Sequence, residues 1–570
     1  MIVLGISAYY HDSSAALVVD GKIVAAAQEE RFTRIKHDNS FPVNACRFCM
    51  ENQGITFDLV DEVVFYEKPF VKFERILRTH IQYAPRSFGL FLRTMPIWLK
   101  DRFNMKATIQ KEFKKAFNTK IEKLSFVDHH LSHAANSFYQ SGFEESAIIV
   151  VDAVGEESTT SIFYADKSGI KLLKSQIFPH SIGLLYSAVT YFLGFKVNTD
   201  EYKVMGLAPY GDPTSRETKR FIDIISTELS NITKEGEFCL NDKLFAFMYN
   251  DQMVSNKVWQ GMFGICKREP NDNITQSHKN LAYAIQYVYE DVLLKIGKKA
   301  KAITGTSKLC ISGGCAMNCS ANGKLLNENL FEDIYVPYAP DDSGCSIGAA
   351  LAINHIKYSI ERKINDCTYL GPEFSNSQIL EVLKGYSLEF RLLSEDKLNK
   401  HISSELANRK IVGWFQGKME FGARALGNRS ILADPRNPSV KELINSNVKF
   451  RESFRPFAPV VLKECSSEIF DIDSRYGKHM SYTCMVKSDK YPGITHSDKT
   501  ARVQMLGRAD NQRLYNLLTT FKEQTGCPLL LNTSFNVMGE PIVCTPKDAI
   551  NTFINSGIDV LVMGNYIIEK

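Results

Sequence analysis

The chain has 570 residues, of which 44% are hydrophobic and 23% charged, and its formal net charge at pH 7 is +4. This length exceeds what one hydrophobic core supports, so we expect two or three domains, and the nearly balanced charge excludes a strongly basic nucleic-acid-binding chain. The 13 scattered cysteines favour a reducing cytoplasm over a disulfide framework. We expect neither a signal peptide nor a membrane span.

The first thirty residues predict a strand, a polar loop and a hairpin. Ile2 to Ser7 is the first strand, His11 lies in the loop, and Asp20-Gly21 is the hairpin turn. The same order returns where an apolar strand ends at Asp152 and a second hairpin follows. This repeat predicts two similar lobes, each with a polar loop after its first strand, and a ligand cleft between them.

The segment D-H-H-L-S-H, which starts at Asp128, precedes the second repeat. On a helix, His129 and His133 lie on one face, so both imidazoles can reach one ion. An isolated H-x-x-x-H more often marks two packed histidines, and Asp342 can equally cap the helix after it. Acids at two strand ends, Asp152 and Asp342, favour a divalent-metal site instead.

Two later segments indicate contact with nucleotide. Lys308 to Ser312 is a predicted strand that runs into Gly313-Gly314, a turn where backbone can approach phosphate or adenosine. By contrast, Glu201 to Gly211 is predicted to be a connecting loop. The pattern changes near residue 360, where we place the boundary between domains 1–360 and 361–570.

The second domain has a basic segment between Gly417 and Pro456, with eight cations, four anions and several glycines. Arginine forks in this setting favour capture of phosphate or carboxylate over a plain solvated face. Pro528 to Leu531 is a predicted strand that leads into N-T-S-F-N at Asn532. Those amides and hydroxyls can hold a phosphate or ribose, or they can simply form a turn.

Taken in order, the motifs resemble the NodU/CmcH family of O-carbamoyltransferases essentially from end to end. The motifs are H-D-S-S-A-A-L at His11, E-E-R-F-T-R-I-K-H at Glu29, D-H-H-L-S-H at Asp128, E-Y-K-V-M-G-L-A-P-Y-G at Glu201, S-G-G-C-A-M-N at Ser312, F-G-A-R-A-L-G-N-R-S at Phe421, V-K-F-R-E-S-F-R-P-F-A-P at Val448 and N-T-S-F-N at Asn532. Each is modest alone, but together they are highly specific.

The resemblance implies an α/β fold with a two-lobed, actin-like (RNase H-like) ATPase domain at residues 1–360 and a YrdC-like domain at 361–570. It implies that ATP and carbamoyl phosphate form carbamoyl-adenylate in the second domain, with loss of pyrophosphate. An acceptor hydroxyl then attacks the carbamoyl carbon in the first domain, and AMP leaves. A homodimer is a family expectation.

The resemblance also assigns residues to these steps. The implied metal ligands, for Fe²⁺ or another divalent ion, are His129, His133, Asp152 and Asp342. The residues implied to bind ATP, with Mg²⁺, and carbamoyl phosphate are Arg424, Lys449, Arg455, Arg502, Asn532 and Ser534. Of the remaining residues, Asn318 is implied to hold the adenosine, Lys36 the adenylate and Glu29 the acceptor. His11 would take the proton from the acceptor hydroxyl, because imidazole titrates near neutral pH.

One departure from the family pattern is visible. The family loop reads Asp-Gly-x-Gly-Glu, whereas Ala153 follows Asp152 here, which leaves the backbone after that ligand less certain. Two other functions stay open: a fused tRNA threonylcarbamoyl-type transferase, and a non-catalytic, actin-like nucleotide-binding protein. The charge balance argues against the tRNA substrate. The acceptor is predicted to be a saccharide or other hydroxyl-bearing small molecule, recognised by residues 66–120 and 212–280.

Overall fold

The computed structural model describes residues 1–98, 104–233 and 237–570. The chain forms two compact units, each made of three separate segments of the chain. Unit 1 consists of Met1–Ser7, Ala15–Ile23 and Gly54–Asn365, and unit 2 of Ala8–Ser14, Val24–Gln53 and Asp366–Lys570. The functional division into domains 1–360 and 361–570 stays a prediction. Parts of the predicted acceptor segments, residues 99–103 and 234–236, lie outside the described residues.

Two five-stranded sheets have the same strand order. The first sheet is β3-β2-β1-β4-β5, and the second, read in the same direction, is β8-β7-β6-β11-β12. In each sheet the central strand pairs in parallel with the strand that follows the hairpin. These ten strands are β1 (Ile2–Ser7), β2 (Ser14–Val19), β3 (Lys22–Gln28), β4 (Glu62–Phe65), β5 (Leu124–Phe126), β6 (Ser146–Val151), β7 (Ser158–Asp166), β8 (Gly169–Ile177), β11 (Lys308–Ser312) and β12 (Asp333–Tyr335). The shared order confirms the internal repeat that the sequence predicts.

A small hairpin and thirteen helices accompany these sheets in the first 365 residues described. The hairpin is β9 (Ser230–Ile232) and β10 (Phe238–Leu240). The helices are α1 (Glu30–Thr33), α2 (Val43–Glu51), α3 (Pro69–Gln82), α4 (Phe88–Ile97), α5 (Met105–Phe117), α6 (His129–Ser141), α7 (Ile182–Phe192), α8 (Glu201–Leu207), α9 (Arg216–Asp223), α10 (Asn256–Phe263), α11 (Gln276–Thr304), α12 (Cys319–Asn327) and α13 (Cys345–Ala352). Across the described residues, none of the helices combines the length and apolar character needed to cross a bilayer.

Unit 2 is built around one eight-stranded sheet, with the order β13-β22-β21-β14-β15-β20-β16-β19. Its strands and those of a separate β17-β18 ribbon are β13 (Arg391–Leu392), β14 (Val412–Phe415), β15 (Arg429–Ala433), β16 (Ala458–Leu462), β17 (Thr483–Met485), β18 (Thr500–Arg502), β19 (Gln504–Leu506), β20 (Leu529–Ser534), β21 (Val560–Met563) and β22 (Tyr566–Glu569). The helices are α14 (Asn376–Lys384), α15 (Glu395–Ala407), α16 (Val440–Leu443), α17 (Ser466–Ile469), α18 (Gln512–Thr525) and α19 (Pro546–Ile554). The mixed α/β class is confirmed, and the YrdC-like assignment stays a prediction.

Two element assignments differ from the sequence prediction. Residues Glu201–Leu207 form helix α8, not a loop, because the single glycine at Gly206 does not outweigh the apolar side chains that the helix buries. Strand β20 continues through Asn532 to Ser534, which pair with Leu432 and Ser430 of β15. Asn532 therefore lies in a central strand rather than in a turn.

Helices α6 and α13 pack closely in unit 1 because Gly348 has no side chain. A Cβ atom at Gly348 would lie 1.8 Å from the carbonyl oxygen of Ser132 on α6. The absence of that Cβ lets the backbones of the two helices approach each other, as small residues do at other tight helix crossings. This approach brings the first turn of α13 to the histidine face of α6.

We expect Gly348→Ala to destabilise the protein by roughly 1–3 kcal/mol, because the added methyl group overpacks the crossing between α6 and α13. Gly261→Ala is the matched control, since Gly261 is also helical and no atom lies within 4 Å of the place that an added methyl group would take. Alanine there should be neutral or stabilising by up to about 1 kcal/mol. Thermal and urea unfolding of both variants measure the difference, and equal midpoints would contradict the tight crossing.

Candidate functional site

Helix α6 carries the two predicted metal-binding histidines. His129 is its first residue and His133 lies one turn later, so both imidazoles project from one face. Their side chains are 3% and 0% exposed, and their Nε2 atoms lie 3.1 Å apart. The Glu156 carboxylate accepts the backbone N–H of His129 at 2.8 Å. This bond satisfies one of the free amides at the helix start and holds the first histidine in place.

The two predicted acidic ligands reach these histidines from the ends of strands. Asp152 follows β6, and its Oδ2 lies 2.9 Å from His129 Nε2 and 3.9 Å from His133 Nε2. Asp342 lies after β12, and its Oδ1 is 3.6 Å from His129 Nε2 and 3.4 Å from His133 Nε2. The neighbouring Asp341 accepts the N–H of Ser343 and caps the short turn there. Asp342 is therefore left to face the imidazoles.

The loop after Asp152 accommodates the departure from the family pattern. The N–H of Ala153 donates to Asp152 Oδ1 at 2.8 Å, and Ala153 is not among the residues with positive φ. Alanine therefore fits this backbone without strain. Glycine is required two residues later, because a Cβ atom at Gly155 would lie 2.8 Å from His129 Cδ2. The loop thus keeps its close approach to the histidine despite the alanine.

The four side chains form a buried group whose charges depend on one another. Burial disfavours the protonated form of His129, but Asp342 and Asp152 outweigh burial and raise its pKa to about 9. For Asp152, burial opposes ionisation, yet the hydrogen bond and charge of His129 lower its pKa. Nearby His130 is different, because burial and the charge of His129 lower its pKa to about 3. His130 is therefore neutral and donates to or accepts from Ser161 at 2.7 Å.

These residues fit a divalent cation. Two nitrogen ligands of one ion, each about 2.1 Å from it, stand roughly 3.0–3.4 Å apart, and the two Nε2 atoms are 3.1 Å apart. A ring nitrogen cannot donate to Asp152 and accept from His133 at once, so protons alone satisfy this group poorly. A cation bound to the two Nε2 lone pairs and to the carboxylates resolves this conflict between the facing ring nitrogens. The sequence analysis did not identify Cys345, which groups with His129, His133 and Asp342.

Asn318 and Glu29 both occupy helix starts. In unit 1, Asn318 Oδ1 accepts the N–H of Ala321 and caps α12, while its amide donates to Gln286 at 2.9 Å. In unit 2, the buried carboxylate of Glu29 accepts the N–H groups of Asn44 and Ala45 at 3.1 and 2.8 Å. Both side chains therefore have a structural role, since they accept backbone N–H groups at the start of a helix. Their predicted contacts with adenosine and acceptor stay predictions.

His11 belongs to a chain of three polar side chains in unit 2. His11 Nδ1 lies 2.9 Å from Asp12 Oδ2, and His37 Nδ1 lies 2.7 Å from Asp12 Oδ1. Burial raises the pKa of Asp12, but its hydrogen bonds to His11 and His37 lower it more, so the carboxylate is ionised. An ionised Asp12 accepts a proton-bearing Nδ1 from each ring, which leaves Nε2 as the basic atom of a neutral His11.

A buried lysine occupies the centre of the predicted anion pocket. Lys449 Nζ donates to the carbonyl oxygen of Ser534, to Ser534 Oγ at 3.2 Å and to Asn536 Oδ1 at 2.8 Å. Burial lowers the pKa of Lys449 well below its usual value, and the charges of Arg451, Arg455 and Lys36 lower it further. The structure therefore brings Lys449, Ser534, Arg455 and Lys36 together, with an excess of positive charge.

The other predicted pocket residues are placed differently. Asn532 is buried on β20, where its amide donates to Gln504 Oε1 at 2.7 Å, and its Oδ1 has no hydrogen-bond partner among the described residues. Arg424 lies half-buried in the loop between β14 and β15. Arg502 ends strand β18 of the separate ribbon, and within the described part of the chain its buried Nε has no partner either. Their contacts with a nucleotide stay predictions.

Several cations of the basic segment are used within the fold. Arg429 is completely buried, stacks over the Phe415 ring at 3.7 Å, and donates to carbonyl oxygens that include that of Pro372 at 3.0 Å. Glu420 Oε1 accepts three backbone N–H groups of the same loop, from Leu426, Asn428 and Arg429. The interpretation of this loop's arginines as ligand-binding forks is therefore wrong for Arg429, which instead holds the loop together.

A cavity of about 600 Å³ lies within the predicted acceptor segment. Its lining is mostly apolar and consists of Lys68, Pro69, Phe70, Val71, Asn104, Met105, Lys106 and Phe126. The backbone N–H of Lys68 donates to Glu156 Oε1 at 2.8 Å, the same oxygen that accepts the N–H of His129. One carboxylate therefore links the edge of the cavity to the start of the histidine helix.

Comparison with known proteins gives matches along the chain. The family models described as carbamoyltransferase N-terminus and carbamoyltransferase C-terminus match residues 2–351 and 403–570. Nodulation protein NolNO of Sinorhizobium fredii is 35% identical over 99% of this chain and 79% of its own length. An uncharacterized protein of Synechocystis sp. is 42% identical over 100% of this chain and 96% of its own length.

A solved structure gives a more distant likeness. Component A of (R)-2-hydroxyglutaryl-CoA dehydratase from Acidaminococcus fermentans covers 63% of this chain and 100% of its own, with 14% identity and a TM-score of 0.33. A likeness at this level carries no argument about function.

The raised pKa of His129 predicts how metal affinity depends on pH. With a pKa of about 9, the imidazole is protonated at neutral pH and must lose its proton to bind an ion. We expect the affinity for Co²⁺ to rise at least tenfold per pH unit between pH 7 and 9, and the contribution of His129 to this slope to end above that range. Calorimetry at pH 7.5 in two buffers should show that the wild-type protein releases about one proton more than His129→Gln does when the ion binds. A pH-independent affinity, or the same profile in His129→Gln, would contradict the assignment.

Proposed function

This chain belongs to the carbamoyltransferase family, and from that premise we propose that it is an ATP-dependent O-carbamoyltransferase. In the proposed reaction, the C-terminal domain at residues 361–570 forms carbamoyl-adenylate from ATP and carbamoyl phosphate. The carbamoyl group then passes to a hydroxyl of a saccharide or other small-molecule acceptor. The observation that carries the first step is Lys449, a buried lysine that lies among other basic side chains.

The chemistry of adenylate formation explains why such a pocket is useful. Carbamate and the ATP triphosphate are both anions, so they repel each other unless cations neutralise them and hold them in line. Lys449 has neutral oxygens as its hydrogen-bond partners among the described residues, and further positive charge comes from Arg455 and Lys36. An anionic ligand relieves the repulsion among these groups, which supports a phosphate-binding role.

The transfer step needs a base and a stabilised leaving group. His11 is suited to take the proton from the acceptor hydroxyl at Nε2, because an ionised Asp12 accepts from Nδ1 and this makes Nε2 the basic nitrogen of the neutral ring. The leaving AMP carries its charge on phosphate, which Lys36 is proposed to bind. A divalent ion at His129, His133, Asp152 and Asp342, which we propose to be Fe²⁺, would stabilise negative charge on the adenylate.

The cavity beside Lys68 supports a position for the acceptor. Its polar edge is connected through Glu156 to the histidine helix, and its walls are largely apolar. We infer that the acceptor presents an apolar face to Phe70 and Met105 while its hydroxyl points toward the polar edge. Ligand cavities of this size and character commonly combine apolar walls with few polar groups.

Adenylate formation is tested without knowing the acceptor, by carbamoyl phosphate-dependent exchange of pyrophosphate into ATP. We expect Lys449→Met to lower the exchange rate roughly 10²- to 10³-fold, because it removes a buried charge from the reacting phosphates. The matched control is Lys463→Met, which removes an exposed lysine of the same unit and should leave the rate unchanged. No exchange in the wild-type protein would refute the adenylate mechanism.

Substitution of His11 should impair the transfer step and leave adenylate formation intact. We expect His11→Ala to keep the wild-type exchange rate and to lose carbamoylation of hydroxyl acceptors by roughly 10²- to 10⁴-fold, the usual contribution of a general base. Mass spectrometry of a panel of saccharide acceptors measures the transfer. His401→Ala, a surface histidine of unit 2 paired with Glu569, is the control. Loss of exchange and transfer together would show that His11 is not specific to transfer.

A further inference from the structure

Cys345 is the first residue of α13 and lies three residues after Asp342. It is completely buried. Its Sγ forms one group with ligand atoms of His129, His133 and Asp342, and all four atoms lie within 4.8 Å of one another. The sequence gives no spacing signal for this thiol, because the nearest cysteine motifs do not match any zinc-finger pattern.

The packing of α13 explains why the thiol is there. Gly348 lets the backbone of α13 approach Ser132 of α6, and Gly344 similarly leaves room for the side-chain amide of Asn136. The close crossing brings the first turn of α13 against the histidine face of α6. A side chain at position 345 therefore points into the same buried volume as the two imidazoles, and cysteine is short enough to fit it.

The surroundings of the thiol are acidic. Burial raises the pKa of the Cys345 thiol well above its usual value, and the charges of Asp342, Asp152, Asp341 and Glu156 raise it further. A cation bound among these groups reverses the effect, because a thiol that coordinates a metal ion loses its proton. With metal–sulfur and metal–nitrogen bonds of about 2.3 and 2.1 Å, sulfur and nitrogen ligands of one ion stand no more than about 4.4 Å apart. The four atoms already lie within 4.8 Å of one another, which is close to this limit.

We propose that Cys345 is a thiolate ligand of the same ion, in addition to His129, His133, Asp152 and Asp342. The inference rests on the metal centre of the proposed function. The thiol releases its proton to solvent as the sulfur–metal bond forms, so no other reactant is needed. Thiolate with imidazole and carboxylate selects Fe²⁺, Co²⁺ or Zn²⁺ over Mg²⁺ and Mn²⁺, because soft sulfur binds the former ions more strongly.

The test uses one equivalent of Co²⁺ added to the full-length, metal-free protein. Cobalt bound to thiolate gives a charge-transfer band in the near ultraviolet, in addition to the visible bands of any bound cobalt. We expect the wild-type protein to show both, and Cys345→Ser to lose the near-ultraviolet band. The Co²⁺ affinity of this variant should fall at least tenfold. Loss of a group that only supports a metal ligand already lowers affinity by about that factor, and loss of a ligand should cost more.

Cys315→Ser is the matched control. Cys315 is half-buried, and the charge of Asp152 also acts on it, but it is not part of the four-atom group. This variant should keep the near-ultraviolet band. In addition, X-ray absorption of the zinc-loaded wild-type protein should show one sulfur neighbour at about 2.3 Å, a result that does not depend on how a variant folds.

The outcomes separate this inference from the metal centre itself. Visible cobalt bands without a thiolate band in the wild-type protein, or a band that persists in Cys345→Ser, would overturn the role of Cys345 while the histidine site stands. Loss of the near-ultraviolet band in Cys315→Ser but not in Cys345→Ser would show that Cys315, and not Cys345, is the sulfur ligand. No Co²⁺ binding by the wild-type protein would overturn both the ligand and the metal centre.

Discussion

Two imidazole nitrogens lie 3.1 Å apart in a buried part of unit 1, and they determine which charges the side chains around them must supply. Neutral rings cannot satisfy each other while one of them bonds Asp152, and two charged rings at that distance repel. Asp152 and Asp342 bring negative charge, which itself needs compensation when buried. A shared cation meets these demands together. Gly155 and Glu156 then serve to keep the ring of His129 and the start of its helix in position.

Unit 2 has the opposite electrostatic imbalance. Lys449 is buried among cations, and its direct partners are the neutral oxygens of Ser534 and Asn536. The histidine centre attracts a cation, whereas the lysine pocket attracts an anion. A reaction that first joins two anions and later releases a phosphate-bearing leaving group uses both kinds of site. The proposed division of labour therefore follows from the sign of the charged side chains that gather at each of the two sites.

The sequence predicted what depends on local periodicity. The repeated strand and hairpin order, the i, i+4 histidines and the acids at strand ends all follow from patterns a few residues long. It did not predict that the segments Ala8–Ser14 and Val24–Gln53 group with unit 2. That grouping depends on contacts across hundreds of residues, such as Arg31 with the carbonyl oxygen of Gly422 and Arg34 with that of Pro541. Composition carries no signal for such backbone acceptors.

The basic segment shows the same limit at the level of single side chains. Five of its eight cations donate to carbonyl oxygens or to Asp434 within the fold, namely Arg429, Arg436, Lys441, Lys449 and Arg451. An arginine fork matches several backbone carbonyls as well as it matches a phosphate, so residue type alone does not separate the two uses. What separates the two uses is whether the folded chain itself supplies enough acceptor oxygens for the hydrogen bonds of the basic side chain. Both terminal nitrogens of Arg429 donate to carbonyl oxygens of the fold, whereas Lys449 lies among other basic side chains in a setting that favours an anionic ligand.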